Sequence, residues 1–533
     1  MTEQMNDLAS VNGVQVNSQE ASKFLQGVDP RNGQRLEPVQ VTDPDSLRDA
    51  VARARTAQPG WHALDFSERS RILKRAAKRM LAERRDCLAI VEQELGKVPA
   101  DALFTEALGP LDALTGWVKV IQSAPAGKVA LNPVAFPKKD ARIELVPRGV
   151  VGVVAPWNFP VAGLYRSVFP ALLLGNSVVL KPSEHSPRSS AWFARMLQAE
   201  LPASVLELVQ GGSSVGEALV EADIDACVFT GSTTVGQKVE RRCIERGIAV
   251  SAEMGGNDAA IVLHDADLSR TVAGLTHWAL QNAGQACGAV EVVYADSRIA
   301  KELTARLADA FRRLQAAPEP GLSGSVAPIA HQSQLDGILA QLDDAREKGA
   351  EVLCGGAYDG LFLQPTILAS CTDEMSVVRE ETFGPVLPVI AVDGAADGVR
   401  RVNKGRYGLT ASIWTSDITR AEQLAEQLDV GVVTINNHAF TGAISALPWS
   451  GRRDSGRGIA NSAWSLLTFA RPKAIVIDRS SGPEPFWVPL DDDLIELGHL
   501  LADAQRGRIA RAFKIPLLLR KRIAHVKAFF GMR

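Results

Sequence analysis

The sequence predicts an α/β protein built around a doubly wound parallel sheet. Three observations predict it: short apolar runs rich in β-branched residues, amphipathic segments between them, and a regular alternation of the two from residue 148 onward. Such runs are typical of strands buried on both faces, and their alternation with helices is typical of parallel sheets. A chain of 533 residues is too long for one ordinary core, so two or three domains are expected.

The chain before residue 148 is predicted to be mainly helical. From "DPDSL" onward, Leu47, Val51 and Ala54 fall on one helical face, and Asp43 or Asp45 is the expected N-cap. A second amphipathic helix, or a pair of helices, is predicted over 67–97, with its basic residues on the solvated side. The polar start of the chain predicts a loose N-terminal arm.

The alternation from 148 to 252 predicts four strands and the helices between them. The predicted strands are "RGVVGVVAPW", "NSVVLKPS", "VLELVQG" and "DACVFTGS". The predicted helices are a stretch after Pro160, "PRSSAWFARMLQAEL", "VGEALVEA" and "TVGQKVERRCIERG". A second mixed series is expected over 253–450, and "DARIELVP" (140–147) alternates as a separate strand should.

Composition excludes several classes of protein. The formal net charge of −3 gives no reason to expect nucleic-acid binding. Six scattered cysteines without a C-x-x-C pair predict neither a zinc site nor a disulfide scaffold, and they fit a reducing, cytoplasmic compartment. The polar start "MTEQMNDLASVNG" is not expected to be a signal peptide, and no apolar run of about 18 residues predicts a membrane span.

One cysteine lies in an unusual setting. In "QNAGQACGAVEVV" (281–293), Cys287 is flanked by Ala286 and Gly288 and preceded by Asn282 and Gln285. Most free cysteines are buried and inert, so an ordinary core residue is one interpretation. The other is a nucleophile whose small neighbours leave room for a substrate.

Five separated motifs favour the nucleophile. They are "VVAPWNFP" (153–160), "LKPSE" (180–184), "FTGSTTVG" (229–236), "EMGG" (253–256) with "GQAC" (284–287), and "EETFGPV" (380–386). A single G-x-x-x-x-G is weak evidence, but all five motifs in this order are specific. Over about residues 25–480 the chain resembles the NAD(P)-dependent aldehyde dehydrogenase superfamily, with features of its semialdehyde dehydrogenase branch.

The resemblance implies three catalytic residues. Cys287 matches the nucleophile that forms a thiohemiacetal and then a thioester. Asn158 matches the side-chain donor to the oxyanion, although an Asn before Pro160 also suits a turn. Glu253 matches the base that activates water for hydrolysis, although it could be a surface carboxylate at a strand end.

The resemblance also implies an NAD site, with NADP as a possibility. Gly231 and Ser232 open a helix that can receive a pyrophosphate, and a carboxylate at Glu184 favours NAD because it would repel a 2′-phosphate. The complete set of predicted cofactor contacts is Trp157, Lys181, Ser183, Glu184, Gly231, Ser232, Gly236, Glu381 and Phe383. Core packing is the alternative for Phe383. No metal ligand is predicted.

Some positions depart from the family pattern. Arg166 and Ser167 stand where many relatives carry an aromatic residue and a Lys, and Ala460 stands where that Lys finds a partner Glu. The resemblance implies that Arg166 could pair with the distal carboxylate of a semialdehyde such as succinate semialdehyde. A surface or subunit salt bridge is the alternative, as is an uncharged aldehyde substrate chosen by the 436–449 loop. Val292 replaces a common Arg, and nothing explains that change.

The resemblance implies a domain division and an oligomer. Residues 1–24 form the arm, 25–128 and 149–252 the cofactor domain, and 253–450 the catalytic domain. Residues 129–148 and 465–485 form a β-arm that joins a homodimer or homotetramer. Two other activities stay open: acyl transfer to coenzyme A, which Glu253 disfavours, and a cofactor-binding scaffold without turnover.

The last segment, 486–533, is expected to be a basic extension. After Asp503 it has nine Lys and Arg and no acidic residue, mixed with Leu, Ile, Val and Phe. Such a segment can lie on an anionic membrane surface as a peripheral contact. The alternative is a helix that packs on its own chain or on a neighbouring subunit.

Overall fold

The computed structural model describes residues 23–133, 135–317 and 325–532, which form two units. The larger unit runs through Ala124 and then over Val146–Arg471, and the smaller one comprises Pro125–Leu145 and Pro472–Arg533. The predicted N-terminal arm lies outside the described residues, apart from its last two. Two sheets form the frame of the larger unit, one parallel and one parallel except for an edge strand.

The first sheet has five parallel strands in the sequence order 3-2-1-4-5. In spatial order they are Leu206–Leu208, Ser177–Lys181, Val150–Val154, Ala226–Thr230 and Ala249–Glu253. The first four are the strands predicted from the apolar runs. The order reverses between Val150–Val154 and Ala226–Thr230, and ligands of open α/β sheets bind at such a point.

Helices before and between these strands pack on the first sheet. Asp43 is the N-cap of the first helix, because its carboxylate accepts the N–H groups of Asp45 and Ser46. The predicted second helix is a pair, Phe66–Ala82 and Arg84–Leu95. The remaining helices of this half are Pro99–Ala102, Pro110–Gln122, Ala162–Tyr165, Val168–Leu173, Pro187–Gln198, Ser213–Glu221 and Thr233–Glu245.

The second sheet has seven strands, and only its edge strand Glu351–Cys354 runs antiparallel to its neighbour. The other strands, in spatial order, are Thr366–Ala369, Val386–Val392, Val290–Asp296, Asp258–Val262, Thr410–Trp414 and Val432–Ile435. Its helices are Leu268–Leu280, Ala300–Arg312, Gln332–Glu347, Ser376–Arg379, Gly394–Lys404 and Ile418–Ala425, whereas Leu466–Phe469 lies against the five-stranded sheet. Apolar clusters fill both faces of this sheet. The α/β class with parallel sheets is therefore confirmed.

Shorter elements complete the larger unit. Four two-stranded ladders join Phe24–Leu25 to Val39–Gln40, Gln315–Ala316 to Ser325–Val326, Tyr358–Asp359 to Phe362–Leu363, and Trp449–Ser450 to Ile459–Ala460. Single helical turns lie at Leu103–Ala107, Gln281–Gly284, Phe440–Ala443 and Ala463–Ser465.

The smaller unit combines a β-arm with a helical hairpin. Its sheet has the strands Gly127–Val129, Lys139–Pro147 and Ala470–Asp478, and the second of these contains the predicted "DARIELVP" strand. Helices Asp492–Gln505 and Ile515–Phe529 pack through Leu497, Leu500 and Leu518, with a short turn at Ile509–Lys514 between them. One side of the C-terminal helix is therefore packed on its own chain. Among the described residues, no helix combines the length and the apolarity that a membrane span requires.

Candidate active site

A cavity of about 770 Å³ opens at the carboxyl ends of the strands in the five-stranded sheet. A volume of this size suits a cofactor-sized ligand. Ten of the predicted site residues line it: Trp157, Asn158, Lys181, Ser183, Glu184, Gly231, Ser232, Cys287, Glu381 and Phe383. Residues separated in the sequence are thus brought together at the point where the strand order reverses.

Three predicted site residues do not line this cavity. Gly236 lies inside the helix Thr233–Glu245, where a Cβ would come within 2.8 Å of Met254 and 3.0 Å of Phe229. Gly236 therefore allows the helix to pack closely. Glu253 ends a strand of the sheet, and Arg166 follows a short helix beyond the Asn158 motif.

Cys287 lies in a turn, neither in a strand nor in a helix. The nucleophile loop, 281–289, begins with a single helical turn in which Asn282 and Ala283 have φ values of +52° and +55°. Non-glycine residues in this region store backbone strain, which requires compensating contacts. The Asn282 side chain supplies two, because Nδ2 donates to the carbonyls of Asn158 and Gln285 at 3.2 and 3.0 Å.

The Gln285 side chain holds the same loop in place through hydrogen bonds. Its Nε2 donates to the carbonyls of Asn282 and Pro328, and its Oε1 accepts the N–H of Ala330 at 2.9 Å. Both polar side chains that precede Cys287 are therefore structural supports of the loop.

The small residues around Cys287 lie where a larger side chain would clash with its neighbours. A Cβ on Gly288 would lie 2.7 Å from the Trp449 ring, and a Cβ on Gly256 would lie 2.7 Å from the carbonyl oxygen of Cys287. Cys287 itself packs against the small apolar cluster of Leu409, Val432 and Trp449. The glycines allow a tryptophan and a second backbone segment to approach the nucleophile closely.

Asn158 is buried next to the nucleophile loop. Its Nδ2 donates to the carbonyl of Gln285 at 3.1 Å, and its side chain is 6% exposed. A primary amide has two N–H donors, so this bond orients the group while leaving a second donor. This arrangement is compatible with a donor to an oxyanion formed at Cys287.

A buried charged cluster supports both the Asn158 motif and the nucleophile loop. This anchor cluster consists of Lys97, Asp101 and Glu106. The Lys97 ammonium pairs with Glu106 at 2.6 Å, and both side chains are fully buried. Sequence reasoning missed the cluster, because Lys97 and Glu106 have the appearance of ordinary helix-surface charges.

Each member of the anchor cluster holds a segment of the site. The Glu106 carboxylate accepts the N–H groups of Val161 and Ala162 at 3.1 and 2.8 Å. Lys97 lies 4.1 Å over the centre of the Phe159 ring, and Asp101 accepts the N–H of Asn282 at 3.1 Å. The cluster thereby fixes the chain that follows the candidate oxyanion donor and the first turn of the nucleophile loop.

Burial sets the protonation behaviour of the two candidate reactive groups. It raises the pKa of the Glu253 carboxyl to about 7, although Arg166 and the N–H of Ala460 act in the opposite direction. It raises the pKa of the Cys287 thiol to about 12, and Arg166 again opposes the rise. A carboxyl with a pKa near 7 is well suited to general-base chemistry near neutral pH.

Arg166 is directed toward the reactive groups. Its guanidinium carbon lies 5.4 Å from the centre of the Trp449 ring, which belongs to the apolar cluster on which Cys287 packs. In the described part of the chain, Arg166 forms no ion pair or side-chain hydrogen bond, so the salt bridge considered from the sequence is not observed there. Ser167 is buried and directs its hydroxyl to the Leu164 carbonyl at 3.5 Å.

Two carboxylates organise the segment around Phe383. Glu291 accepts the N–H groups of Thr382 and Phe383 at 2.7 and 2.8 Å, and Phe383 has a φ of +51°. Glu381 accepts the N–H of Gly256 at 3.0 Å, and burial raises its pKa to about 7. Phe383 meets the Trp157 ring edge-to-face at 5.5 Å on the cavity wall.

The opposite half of the cavity suits a dinucleotide. The helix Thr233–Glu245 begins directly after Gly231 and Ser232, so its free N–H groups can receive a pyrophosphate. Lys181 Nζ lies 3.5 Å from the Glu184 carboxylate. Burial lowers the pKa of Lys181, and Glu184 partly restores it. A lysine and a carboxylate side by side can bind ribose hydroxyls, so the residues present fit a nicotinamide dinucleotide.

A pair of histidines was not predicted. His185 and His331 stack with ring centres 4.1 Å apart, and His331 also contacts Trp157 at 5.1 Å. Burial lowers the pKa of both residues, that of His331 to about 4. The only signal in the sequence is the position of His185 directly after Glu184. In the described residues, no cluster of metal-binding side chains is found.

Comparisons with known proteins agree with this site. The model of the aldehyde dehydrogenase family matches residues 16–475. The chain is 35% identical over 471 residues to a 4,4′-diapolycopene aldehyde oxidase of Methylomonas sp, covering 87% of this chain and 88% of the relative. It is 33% identical over 464 residues to a putative NADP(+) succinate-semialdehyde dehydrogenase of Mycolicibacterium smegmatis, covering 85% and 88%.

A solved structure shows the same fold. The NAD+ complex of an aldehyde dehydrogenase from Bacillus cereus superposes with a TM-score of 0.82 at 27% identity, covering 86% of this chain and 94% of that one. The fold and the site define an α/β oxidoreductase of the NAD(P)-dependent kind. The chain belongs to the aldehyde dehydrogenase family, as its five motifs predicted.

Proposed function

We propose that the protein oxidises an aldehyde to the carboxylic acid with NAD(P)+ through a thioester on Cys287. The observation that carries this proposal is the burial of Glu253, with a pKa of about 7, near a cysteine that lines a dinucleotide-sized cavity. Glu253 also favours water over coenzyme A as the acyl acceptor, because it can act as a base for water.

The chemistry assigns one task to each catalytic residue. The Cys287 sulfur bonds to the aldehyde carbon, the thiol proton passes to solvent water, and the carbonyl π electrons move onto the oxygen. The second N–H of Asn158 and the Cys287 backbone N–H stabilise that oxyanion. The bound cofactor supplies the hydride acceptor. Glu253 then removes a proton from water, the water oxygen bonds to the thioester carbon, and the carbon–sulfur bond breaks to release the acid.

We propose NAD as the preferred cofactor, with NADP as a possible substitute. Gly231 and Ser232 would receive the pyrophosphate, and Glu184 would accept hydrogen bonds from the adenosine ribose. Lys181 and Ser183 would complete that ribose site. Trp157, Glu381 and Phe383 would hold the nicotinamide ribonucleotide. Known relatives fit either choice, since one is named for NADP(+) and the Bacillus cereus structure contains NAD+.

The substrate proposed first is a carboxylated semialdehyde such as succinate semialdehyde. Arg166 supports it, because an arginine that forms no close ion pair in the described chain and lies beside Trp449 can receive a carboxylate from a substrate. The 33% relative named for this substrate agrees. An uncharged aldehyde is the second candidate, and the 35% relative, named for an aldehyde of diapolycopene, favours it.

The test is NADH formation by the purified protein with NAD. Succinate semialdehyde is compared with unsubstituted aldehydes of similar length, in the wild type, in Arg166→Ala and in Cys287→Ala. We expect Cys287→Ala to abolish turnover with every aldehyde. We expect Arg166→Ala to remove the advantage of succinate semialdehyde in kcat/KM, whereas Arg71→Ala, at an exposed site, leaves it unchanged.

Three outcomes would redirect the proposal. If uncharged aldehydes react as well and Arg166→Ala changes nothing, Arg166 is structural and the 436–449 loop governs the substrate. If turnover requires coenzyme A, hydrolysis is wrong. NAD binding without reduction by any aldehyde would indicate a scaffold.

We also propose a location and an assembly. The β-arm of 129–148 and 465–485 would join a homodimer or homotetramer, and the cofactor and catalytic domains would divide at residue 253 as the sequence predicts. The enzyme would work in the cytoplasm, with its C-terminal extension as a peripheral contact to membranes.

A further inference from the structure

The extension 486–533 differs in charge from the rest of the chain. It carries nine Lys and Arg against five Asp and Glu, whereas the whole chain carries 58 against 61. The family match ends at residue 475, so this segment lies outside the part of the chain that matches the family. A charge excess confined to such a segment indicates a partner of opposite charge for that segment.

The hairpin separates its charges between its two helices. The acidic residues lie on and before the helix Asp492–Gln505, and the basic residues follow it. Lys514, Lys521 and Arg522 pair with Glu496, Asp493 and Asp491. Four other arginines are exposed and form no side-chain ion pair or hydrogen bond within the described residues: Arg506, Arg508, Arg511 and Arg520.

Buried Arg522 fixes the orientation of the C-terminal helix. Its guanidinium is fully buried and donates to the carbonyls of Pro485, Trp487 and Pro489 as well as to Asp491. Leu518, Arg522 and Val526 are spaced four residues apart, so they share one side of the helix, and all three are buried. The opposite side therefore faces solvent.

That exposed side is apolar and basic. Together with Arg511 and Phe513 of the preceding turn, it forms a surface that we call the basic face, whose members on the helix are Leu517, Arg520, Ala524 and Ala528. Phe513 is 75% exposed and Leu517 is 70% exposed, and both are far too accessible for core residues. Phe529, Phe530 and Met532 add exposed apolar groups at the end of the helix.

We infer that the basic face docks the enzyme on an anionic lipid membrane surface. An interfacial helix buries a strip of apolar side chains at the headgroup boundary while arginines and lysines reach the lipid phosphates. Phe513 and Leu517 would supply the apolar contact, and Arg511 and Arg520 the charge. A second protein copy fits less well, because the unpaired arginines would then face each other across a symmetric contact.

This inference rests on the location proposed above, and its test measures binding and needs no turnover. The full-length protein is sedimented with phosphatidylglycerol vesicles and with phosphatidylcholine vesicles. We expect sedimentation with the anionic vesicles only, and a loss of binding as salt rises from about 0.1 to 0.5 M because screening shortens the range of the attraction.

Two pairs of variants locate the surface. Arg511→Gln with Arg520→Gln should weaken partitioning roughly 10- to 30-fold, since each basic residue near an anionic surface contributes about a tenfold or smaller factor. Arg71→Gln with Lys74→Gln removes the same charge from an exposed helix elsewhere and should leave binding unchanged. Phe513→Ala with Leu517→Ala should weaken binding several-fold, whereas Phe104→Ala with Ile244→Ala should not.

Three results would overturn the inference. One is the absence of sedimentation with anionic vesicles at low salt. Another is binding that survives the double arginine substitution. The third is a change of oligomeric mass in Phe513→Ala with Leu517→Ala, measured by light scattering, which would show that another copy covers the face. Unchanged circular dichroism verifies that each variant is folded.

Discussion

The two halves of the candidate site differ in how far their side chains are exposed to solvent. The nucleophile half is desolvated: Asn158 and Glu253 are 6% and 8% exposed. The cofactor half is open, and the Glu184 side chain is 39% exposed. Burial raises the pKa of Glu253, whereas the pKa of Glu184 lies below its usual value because its own N–H and Lys181 outweigh its partial burial.

This difference in burial explains how one site can serve two tasks. A group that must take up a proton near neutral pH benefits from desolvation, which brings its pKa toward 7. A group that must bind sugar hydroxyls benefits from staying charged and accessible. The same residue type, glutamate, serves both tasks because the fold buries one copy and leaves the other near solvent.

The strongest test of this contrast is Glu253→Gln. We expect steady-state turnover to fall about 10²- to 10⁴-fold, the usual contribution of a general base, because thioester hydrolysis loses its base. A first burst of NADH, equal to the number of sites, should remain. Stopped-flow absorbance separates the burst from the steady state.

Glu94→Gln is the matched control for that substitution. Glu94 is a buried carboxylate that accepts the N–H groups of Arg188 and Ser189, and it does not line the cavity. Turnover should stay near wild type in Glu94→Gln. If Glu253→Gln keeps full steady-state turnover, Glu253 is not the base and the pKa argument fails.

The buried half should also depend on the anchor cluster. Glu106→Gln leaves the Lys97 ammonium fully buried without its counter-charge, and breaking such a pair costs about 3–5 kcal/mol of unfolding free energy. Chemical denaturation measures the loss. We also expect a lower kcat, because the N–H groups of Val161 and Ala162 lose a charged acceptor beside the Asn158 motif.

Two variants isolate the cause of that loss. Lys97→Met combined with Glu106→Gln removes both charges of the buried pair and should recover much of the stability, because neither member of the pair is left charged without the other. Glu302→Gln breaks the exposed pair with Arg306 and should cost about 1 kcal/mol or less. Equal losses in Glu106→Gln and Glu302→Gln would contradict the role of the cluster.

For the open cofactor half of the site we predict a smaller effect, on the preference between NAD and NADP. Glu184→Gln should shift the ratio of kcat/KM for NAD over NADP roughly tenfold toward NADP, since a charge-assisted hydrogen bond to the ribose is lost along with the repulsion of a 2′-phosphate. Steady-state kinetics with both cofactors measures the ratio. Glu217→Gln, at an exposed position of the same cavity, should leave the ratio unchanged.

The smallest expected effect is a displacement of the pH profile. As a base, Glu253 must be ionised, so kcat should rise as pH increases through about 7. Arg166 lowers the pKa of Glu253, and its replacement by Gln should therefore move this rise to higher pH. Arg166→Lys keeps the charge and should keep the profile. A profile that is identical in all three proteins would show that Arg166 does not act on the base.

The β-arm and the C-terminal extension show which features local sequence patterns can predict and which they cannot. The strand over 140–147 follows from its alternation, and the helix in the tail follows from its mixed composition. Which side of that helix is buried depends on Arg522 and its carbonyl partners in the 485–489 segment. Those contacts join separate segments, so no local periodicity reveals them.

The sequence by itself determined the order of strands and helices, the family, and the residue types gathered at the cavity. These depend on periodicity, on short motifs and on glycines at tight positions, all of which are local properties. Only the tertiary structure decided that Glu253 is desolvated, that Lys97 and Glu106 hold the Asn158 segment, and that Arg166 faces Trp449. Burial and charge pairing arise from contacts between distant parts of the chain, and protonation depends on those contacts more than on residue type.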